Sequence, residues 1–208
     1  MNKYVFFDID GTLNQTVLYA VEAYKKALRR RNIFADEEKI VSCIGLTPDE
    51  IAKELLGNVT EQEMKCWQKE IRECEAELIK TKASAFPGVQ ETLEKLQERG
   101  YHLAVCSNAF PEHIEGVLAS IGVRQYFSQI GSLKMGKDKT EVLEALLKHT
   151  QCGAACMVGD RIFDIQAARA NHIPVIGCGY GYAPAEMGAA DIVVNRAADI
   201  YEAVCKLI

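Results

Sequence analysis

The chain is short of the features that would send it to a membrane, a nucleic acid or an oxidising compartment. No apolar run in its 208 residues reaches the roughly 20 residues needed to cross a bilayer. An acid, Asp8, follows only four apolar residues at the start, so no secretory hydrophobic region is expected there. There is no basic excess: 24 Lys and Arg stand against 29 acids, a net charge of -5. A nucleic-acid partner would call for basic surface to meet phosphates. No Cys-x-x-Cys pair occurs among the eight cysteines, and Cys152 and Cys156 have no histidine at zinc-site spacing. Several cysteines sit inside apolar runs, so free buried thiols are expected in preference to disulfides. The expectation is a cytoplasmic protein with no membrane or nucleic-acid partner. Whether it is a monomer or a homodimer is not legible.

Hydrophobic residues make up 49% and charged residues 25%, a balance that supports a packed core and excludes disorder. Lys3–Ile9 reads as a buried strand, and Tyr101–Cys106, Ala155–Val158, Ile173–Ile176 and Ile192–Val194 resemble it. Helical spacing separates them over Val89–Arg99, Glu112–Ile121, Lys139–His149, Phe163–Ala170 and Asp199–Leu207. Apolar strands alternating with helices predict an α/β fold, a doubly wound, Rossmann-like parallel sheet. Residues 16–85 break the alternation and look wholly helical. Thr47-Pro48-Asp49-Glu50 and Thr60-Glu61-Gln62-Glu63 read as capping boxes, the second opening a long helix striped with Met64, Trp67, Ile71, Cys74 and Leu78. The division is therefore a core of residues 1–15 and 86–208 with a helical insert at 16–85.

Ligands of open α/β sheets bind beyond the carboxyl ends of the strands, so the residues after each strand carry the chemistry. The first strand ends in Asp8-Ile9-Asp10-Gly11-Thr12. Acids at i and i+2 project to one side of an extended chain, and their repulsion is relieved by a cation or a shared proton. An EF-hand loop is excluded, because its glycine and its twelfth-position Glu are misplaced. The second strand ends in Ser107-Asn108, a hydroxyl and an amide suited to phosphate oxygens. Lys134, Lys137 and Lys139 precede the next helix, without P-loop spacing. Val158-Gly159-Asp160-Arg161 then returns two acids, Asp160 and Asp164. Gly177-Cys178-Gly179-Tyr180-Gly181 lacks dinucleotide-loop spacing and reads as a flexible turn.

These four segments, in this order, resemble the haloacid dehalogenase superfamily across nearly the whole chain. The helical insert looks like the subfamily I cap, and the later half is similar to phosphoglycolate-phosphatase-like members. The resemblance implies a phosphatase acting on a small phosphorylated metabolite. It makes Asp8 the nucleophile and Asp10 the acid/base. It gives Mg2+ as cofactor, held by Asp8, the backbone carbonyl of Asp10, and Asp160, with Asp164 in support. Thr12, Ser107, Asn108 and a lysine would hold the phosphate. That lysine is Lys139 or Lys137. The family's commoner Lys-Pro-x-Pro form would align Lys137, but both prolines are missing, and Lys139-Thr140-Glu141-Val142-Leu143 fits the other form better. The turn Ile44-Gly45-Leu46-Thr47 resembles the cap's substrate-facing loop. A phosphosugar mutase of the same family shares these motifs. A phosphorylatable signalling module or an inactive phosphate-binding relative are the non-enzymatic alternatives.

Overall fold

The computed structural model describes residues 2–208. Six strands form one sheet: β1 (Lys3–Phe7), β2 (His102–Cys106), β3 (Phe127–Gly131), β4 (Ala154–Gly159), β5 (Val175–Cys178) and β6 (Ile192–Val194). Their spatial order is β3-β2-β1-β4-β5-β6 and every pairing is parallel. The α/β expectation is borne out. Strands β1, β2 and β4 are almost wholly buried, as a sheet covered on both faces requires. The chain moves outward from β1 through β2 to β3, then resumes at β4 on the other side of β1. The strand order therefore reverses between β1 and β4, where such sheets open a crevice.

Nine α-helices are described. Helices α1 (Val17–Arg29), α2 (Glu37–Ser42), α3 (Pro48–Leu56) and α4 (Glu61–Lys82) follow β1 without an intervening strand. The others flank the sheet: α5 (Val89–Glu98), α6 (Pro111–Ser120), α7 (Lys139–Thr150), α8 (Ile162–Ala170) and α9 (Ile200–Leu207). Both expected capping boxes form. Thr47 and Thr60 each accept from the backbone N–H three residues on, and Glu50 and Glu63 reach back to the cap. Pro48 occupies the first turn of α3, where its missing N–H costs nothing. The stripe on α4 packs inward: Trp67 and Ile71 join Val21, Leu28, Ile40 and Leu55 in an apolar cluster belonging to the inserted helices. Beneath it, one face of the sheet packs on α5, α6 and α9 through residues such as Val5, Leu93, Val117 and Val204. The other face packs on α7 and α8 through Phe6, Leu143, Met157 and Ile165.

Two departures from the expected elements have physical reasons. Strand β3 was not anticipated, because Phe-Ser-Gln-Ile-Gly is only half apolar; it lies at the sheet edge and pairs with β2 alone. The expected strand Ile173–Ile176 instead runs Val175–Cys178. Pro174 has no N–H to give a ladder, and the Val175 N–H goes to the Asp191 carboxylate. All eight cysteines are free, as expected. Among the described residues no helix is long and apolar enough to cross a membrane.

Candidate active site

The parallel register of β1 with β4 sets Phe7 beside Val158, so the residues leaving both strands emerge together at the reversal of strand order. Asp8, Asp160 and Asp164 converge there. Oxygens from all three lie within 4.8 Å of one another, and none of the three is more than 2% exposed. Lys139, at the start of α7 and 2% exposed, inserts its ammonium between two of them. Its Nζ donates to Asp8 Oδ1 at 2.6 Å and to Asp164 Oδ1 at 2.7 Å. Asp164 Oδ2 accepts from the Arg161 N–H, closing the first turn of α8. Asp160 Oδ2 accepts from the Tyr182 N–H at 2.7 Å.

Glycines make this crowding possible. Gly11 has φ +90°, and a Cβ there would sit 2.2 Å from Asp160 Oδ2. A Cβ at Gly181 would meet the Cβ of Asp160 at 2.3 Å. The segment 177–181, read from sequence as a flexible turn, is therefore a wall of the acid cluster. Its neighbour Tyr182 holds Asp160, Tyr180 donates to the Thr12 carbonyl, and the Tyr182 hydroxyl accepts from the Val17 N–H. The reading as a free turn failed because backbone contact with a distant carboxylate leaves no local pattern.

Three buried carboxylates lie together with one ammonium, which pairs with two of them. Burial raises the Asp8 carboxyl to about 7; Lys139 pulls against this, while Asp164 and Asp10 add to it. Asp160 is raised well above its ordinary value by burial and by the charges of Asp8 and Asp164. Lys139 is held up: burial works against its charge, but Asp164 and Asp8 outweigh it. Asp8 Oδ2 is buried with no hydrogen-bond partner. An unpaired carboxylate oxygen, facing two more carboxylates in excess of the available positive charge, suits a hard divalent cation that takes oxygen ligands.

The Asp10 side chain lies outside this cluster. Its Oδ1 accepts from the Thr16 hydroxyl at 2.5 Å, and His113 Nε2 lies 3.4 Å from its Oδ2. Burial opposes ionisation, but the charge and hydrogen bond of His113, then the Thr16 hydroxyl, hold the Asp10 carboxyl below its usual value. The Asp10 carboxylate is thus directed to Thr16 and His113, not to Asp8, Asp160 and Asp164. The remaining expected residues divide. Ser107 is buried beside the pocket, and its Oγ accepts from the Ala109 N–H. Asn108 Nδ2 donates to the Gly45 carbonyl of the insert, leaving its Oδ1 unpartnered. The Thr12 hydroxyl faces Asp160 at 3.5 Å. Lys137 is exposed and pairs with Glu141 at 2.7 Å, so the structure brings Lys139, and not Lys137, to the carboxylates. Three residues escaped the sequence reading: Thr16, Glu75 and His113. Each is a lone polar residue on a helix or at its start, indistinguishable in sequence from a solvated one.

A cavity of about 100 Å³ opens over the cluster. Asp8, Asp10, Ser107 and Asn108 line its floor, and Tyr24, Leu46, Ile51 and Trp67 of the inserted helices line its roof. Arg161 ties roof to floor. Its Nη1 donates to the Ser42 carbonyl at 3.3 Å and to that of Ile44, and its Nε lies 3.2 Å from Glu186.

A buried carboxylate beside a lysine, at the carboxyl edge of a doubly wound sheet under a helical roof, is an arrangement suited to a hydrolase of phosphate esters. The chain belongs to the haloacid dehalogenase-like hydrolases, whose family model matches residues 5–178, and it is a phosphatase of the phosphoglycolate-phosphatase-like kind. A phosphoglycolate phosphatase of Haemophilus influenzae is 33% identical over 199 residues, covering 86% of this chain and 87% of that one. The crystal structure of a predicted phosphoglycolate phosphatase from Haemophilus somnus superposes with a TM-score of 0.84 at 26% identity, over 97% of each chain. A predicted phosphatase from Clostridium acetobutylicum shares the fold over the full length of both chains, with a TM-score of 0.88 at 23% identity.

Proposed function

We propose that the protein is a magnesium-dependent phosphatase that hydrolyses a small phosphomonoester through an aspartyl phosphate on Asp8. The observation that carries this reading is Asp8 itself. One of its oxygens is fixed by Lys139 while the other is unpartnered, and the residue lines the floor of the cavity. In the first step an Asp8 oxygen attacks phosphorus, a new P–O bond forms to the carboxylate, and the bond to the substrate's alcohol oxygen breaks. Asp10, protonated in the substrate complex in this reading, gives its proton to that leaving oxygen. In the second step Asp10 takes a proton from water, the water oxygen attacks phosphorus, and the Asp8–phosphorus bond breaks to release phosphate. Lys139, Ser107, Asn108 and Thr12 are assigned to the phosphate oxygens. Asp8, Asp160, the Asp10 carbonyl and, in support, Asp164 would hold the Mg2+, which offsets the shared negative charge of nucleophile and phosphate.

Residues 16–85 act in this reading as a cap on the core formed by residues 1–15 and 86–208. The two connections run side by side: the Gln15 N–H donates to the Ser84 carbonyl and the Phe86 N–H to the Leu13 carbonyl. A cap hinged there would exclude bulk water during transfer, and the 44–47 loop would read the leaving group. A cavity of about 100 Å³ is small beside the roughly 300–1,000 Å³ of common ligand pockets. That size favours a phosphoester of few atoms, and phosphoglycolate, for which the relatives are named, is the first candidate. Eight free thiols accord with a reducing cytoplasm.

The test is phosphate release from 4-nitrophenyl phosphate and from phosphoglycolate, with magnesium, with EDTA, and for Asp8→Asn. Magnesium-dependent release, abolished in the variant, is expected. Undiminished release by Asp8→Asn would refute the covalent reading, and an isomerised product without free phosphate would replace hydrolysis by transfer.

A further inference from the structure

The transfer steps leave unused a half-buried histidine, 14% exposed, in contact with the acid/base. His113 lies in the first turn of α6, on the sheet side of the cavity. Its Nε2 is 3.4 Å from Asp10 Oδ2 and 3.5 Å from Oδ1, and its Nδ1 is 3.5 Å from Glu75 Oε2. Glu75 belongs to α4, the long helix of the insert, and is 8% exposed. It stands next to Cys74 on the inward face of a helix whose other acids are exposed, or half-buried against Arg31 in the case of Glu70. Burying a carboxylate in that position costs several kcal/mol unless it is paired. Among the described residues its only ion-pair partner is His113. The Tyr19 ring, 6.4 Å from the imidazole, completes the enclosure without offering charge. Three elements thus meet through one ring: a carboxylate of the insert, an imidazole of the core, and the carboxylate after β1.

We propose that His113 is a positioning residue for Asp10, and that Glu75 makes this positioning depend on the closed cap. The inference rests on the reading of Asp10 as proton donor. The Asp10 carboxylate is gripped from two sides, by the Thr16 hydroxyl at the start of α1 and by the His113 ring. Both grips draw on the insert, Thr16 directly and His113 through Glu75. When the cap lifts, Glu75 leaves the imidazole, the ring loses one of its two anchors, and Asp10 loses its fixed aim at the leaving oxygen. Proton donation is thereby confined to the state in which bulk water is excluded.

Leaving groups of different basicity test this, because a weakly basic phenolate departs without a proton while a strongly basic one needs it. The measurement is kcat/KM, which reports only the steps through formation of the aspartyl phosphate, across a series from 4-nitrophenyl to unsubstituted phenyl phosphate. Wild type should show a shallow dependence on leaving-group basicity. Asp10→Asn should steepen it, with the phenyl ester falling about 100-fold further than the nitrophenyl ester. His113→Ala should steepen it in the same sense by about 10-fold, Glu75→Gln by less, and His113→Gln, which keeps an N–H donor, should recover part of the loss. A steep Asp10→Asn with a His113→Ala series parallel to wild type, whether lowered uniformly or unchanged, overturns the positioning role alone. A parallel Asp10→Asn series overturns the underlying assignment of the proton donor. Melting temperatures of the variants identify a uniform loss caused by unfolding, which also counts against the proposal.

Discussion

Replacing Asp8, the proposed nucleophile, should stabilise the metal-free protein, and the structure gives the size and pH range of the gain. Asp8 sits with Asp160 and Asp164 around a single ammonium, and burial pushes its carboxyl from 3.8 to about 7. A carboxyl raised in the folded state binds its proton more tightly folded than unfolded. Its contribution to stability is therefore fully present below 3.8, is lost as pH climbs toward 7, and is absent above that. The difference corresponds to about 4 kcal/mol at 1.36 kcal/mol per pH unit. Asp8→Asn keeps the shape and removes the charge, so it escapes that loss. Part of the relief passes to Asp160, whose ionisation becomes easier once its neighbour is neutral. A gain of about 1–4 kcal/mol is expected at pH 8 in EDTA, or roughly 2–16 °C in Tm for a chain of this size.

The assay is thermal unfolding of wild type and Asp8→Asn in EDTA at pH 5, 6, 7 and 8. The gap should open as pH rises across that range. Saturating magnesium should then narrow the gap, since a ligand at 100 times its Kd adds about 2.7 kcal/mol to wild type and the variant has lost an oxygen donor. A variant less stable than wild type at pH 8 in EDTA would refute the account of the cluster as over-charged. So would a gain of equal size at pH 5 and pH 8.

Lys139→Ala leaves Asp8 and Asp164 without their buried cation and should cost about 3–5 kcal/mol in metal-free protein and abolish turnover; Lys137→Ala, at the surface, should leave turnover within about 2-fold, and the reverse ranking in a paired assay would return the role to Lys137. Gly11→Ala forces a Cβ onto the Asp160 carboxylate at a positive φ and should weaken magnesium binding, read by calorimetry, by at least about 10-fold (about 1.4 kcal/mol); unchanged affinity would dissociate the turn from the metal site. Trp67→Ala empties the centre of the insert's own cluster and should cost about 3–5 kcal/mol. If the insert opens on its own hinges, hydrogen exchange should show that loss in α1–α4 and spare β1 and β4; uniform acceleration would mean a single cooperative unit.

How much of this was legible in the sequence depended on whether the determinant was local. Thr47 and Thr60 announced their helices because a capping box lies within four residues, and β1, β2 and β4 announced themselves because full burial demands an unbroken apolar run. Strand β3 did not, since an edge strand with one covered face tolerates Ser128 and Gln129. Asp8, Asp10, Asp160 and Asp164 were legible as acids following strands. Their pairwise geometry was not, and neither was the choice of Lys139 over Lys137 by burial, which depends on where α7 begins relative to β1. His113, Glu75 and the 177–181 segment were the least legible. Each acts through a partner at least 17 residues away, and a single residue type on a helix or loop carries no trace of such a partner.

The place of the insertion explains why so much of the site's control lies in one stretch of chain. The helices enter after Thr16 and return at Ala85, and these two connections pair with each other beside Asn14. The entry residue Thr16 holds Asp10, while Asn14 donates to Thr16 and to the Tyr19 hydroxyl. Asp8, two residues earlier in the chain, belongs instead to the rigid sheet through its N–H to Val158 and through Lys139. One short segment therefore contains a fixed carboxylate and an adjustable one. In the proposed mechanism, bonding to phosphorus would need the first to stay in place beside the lysine through both steps, whereas proton transfer would need the second to give a proton in one step and take one in the next. An insertion six residues beyond Asp10 would, in that mechanism, place the cap next to the residue whose task changes and leave the proposed nucleophile in the sheet.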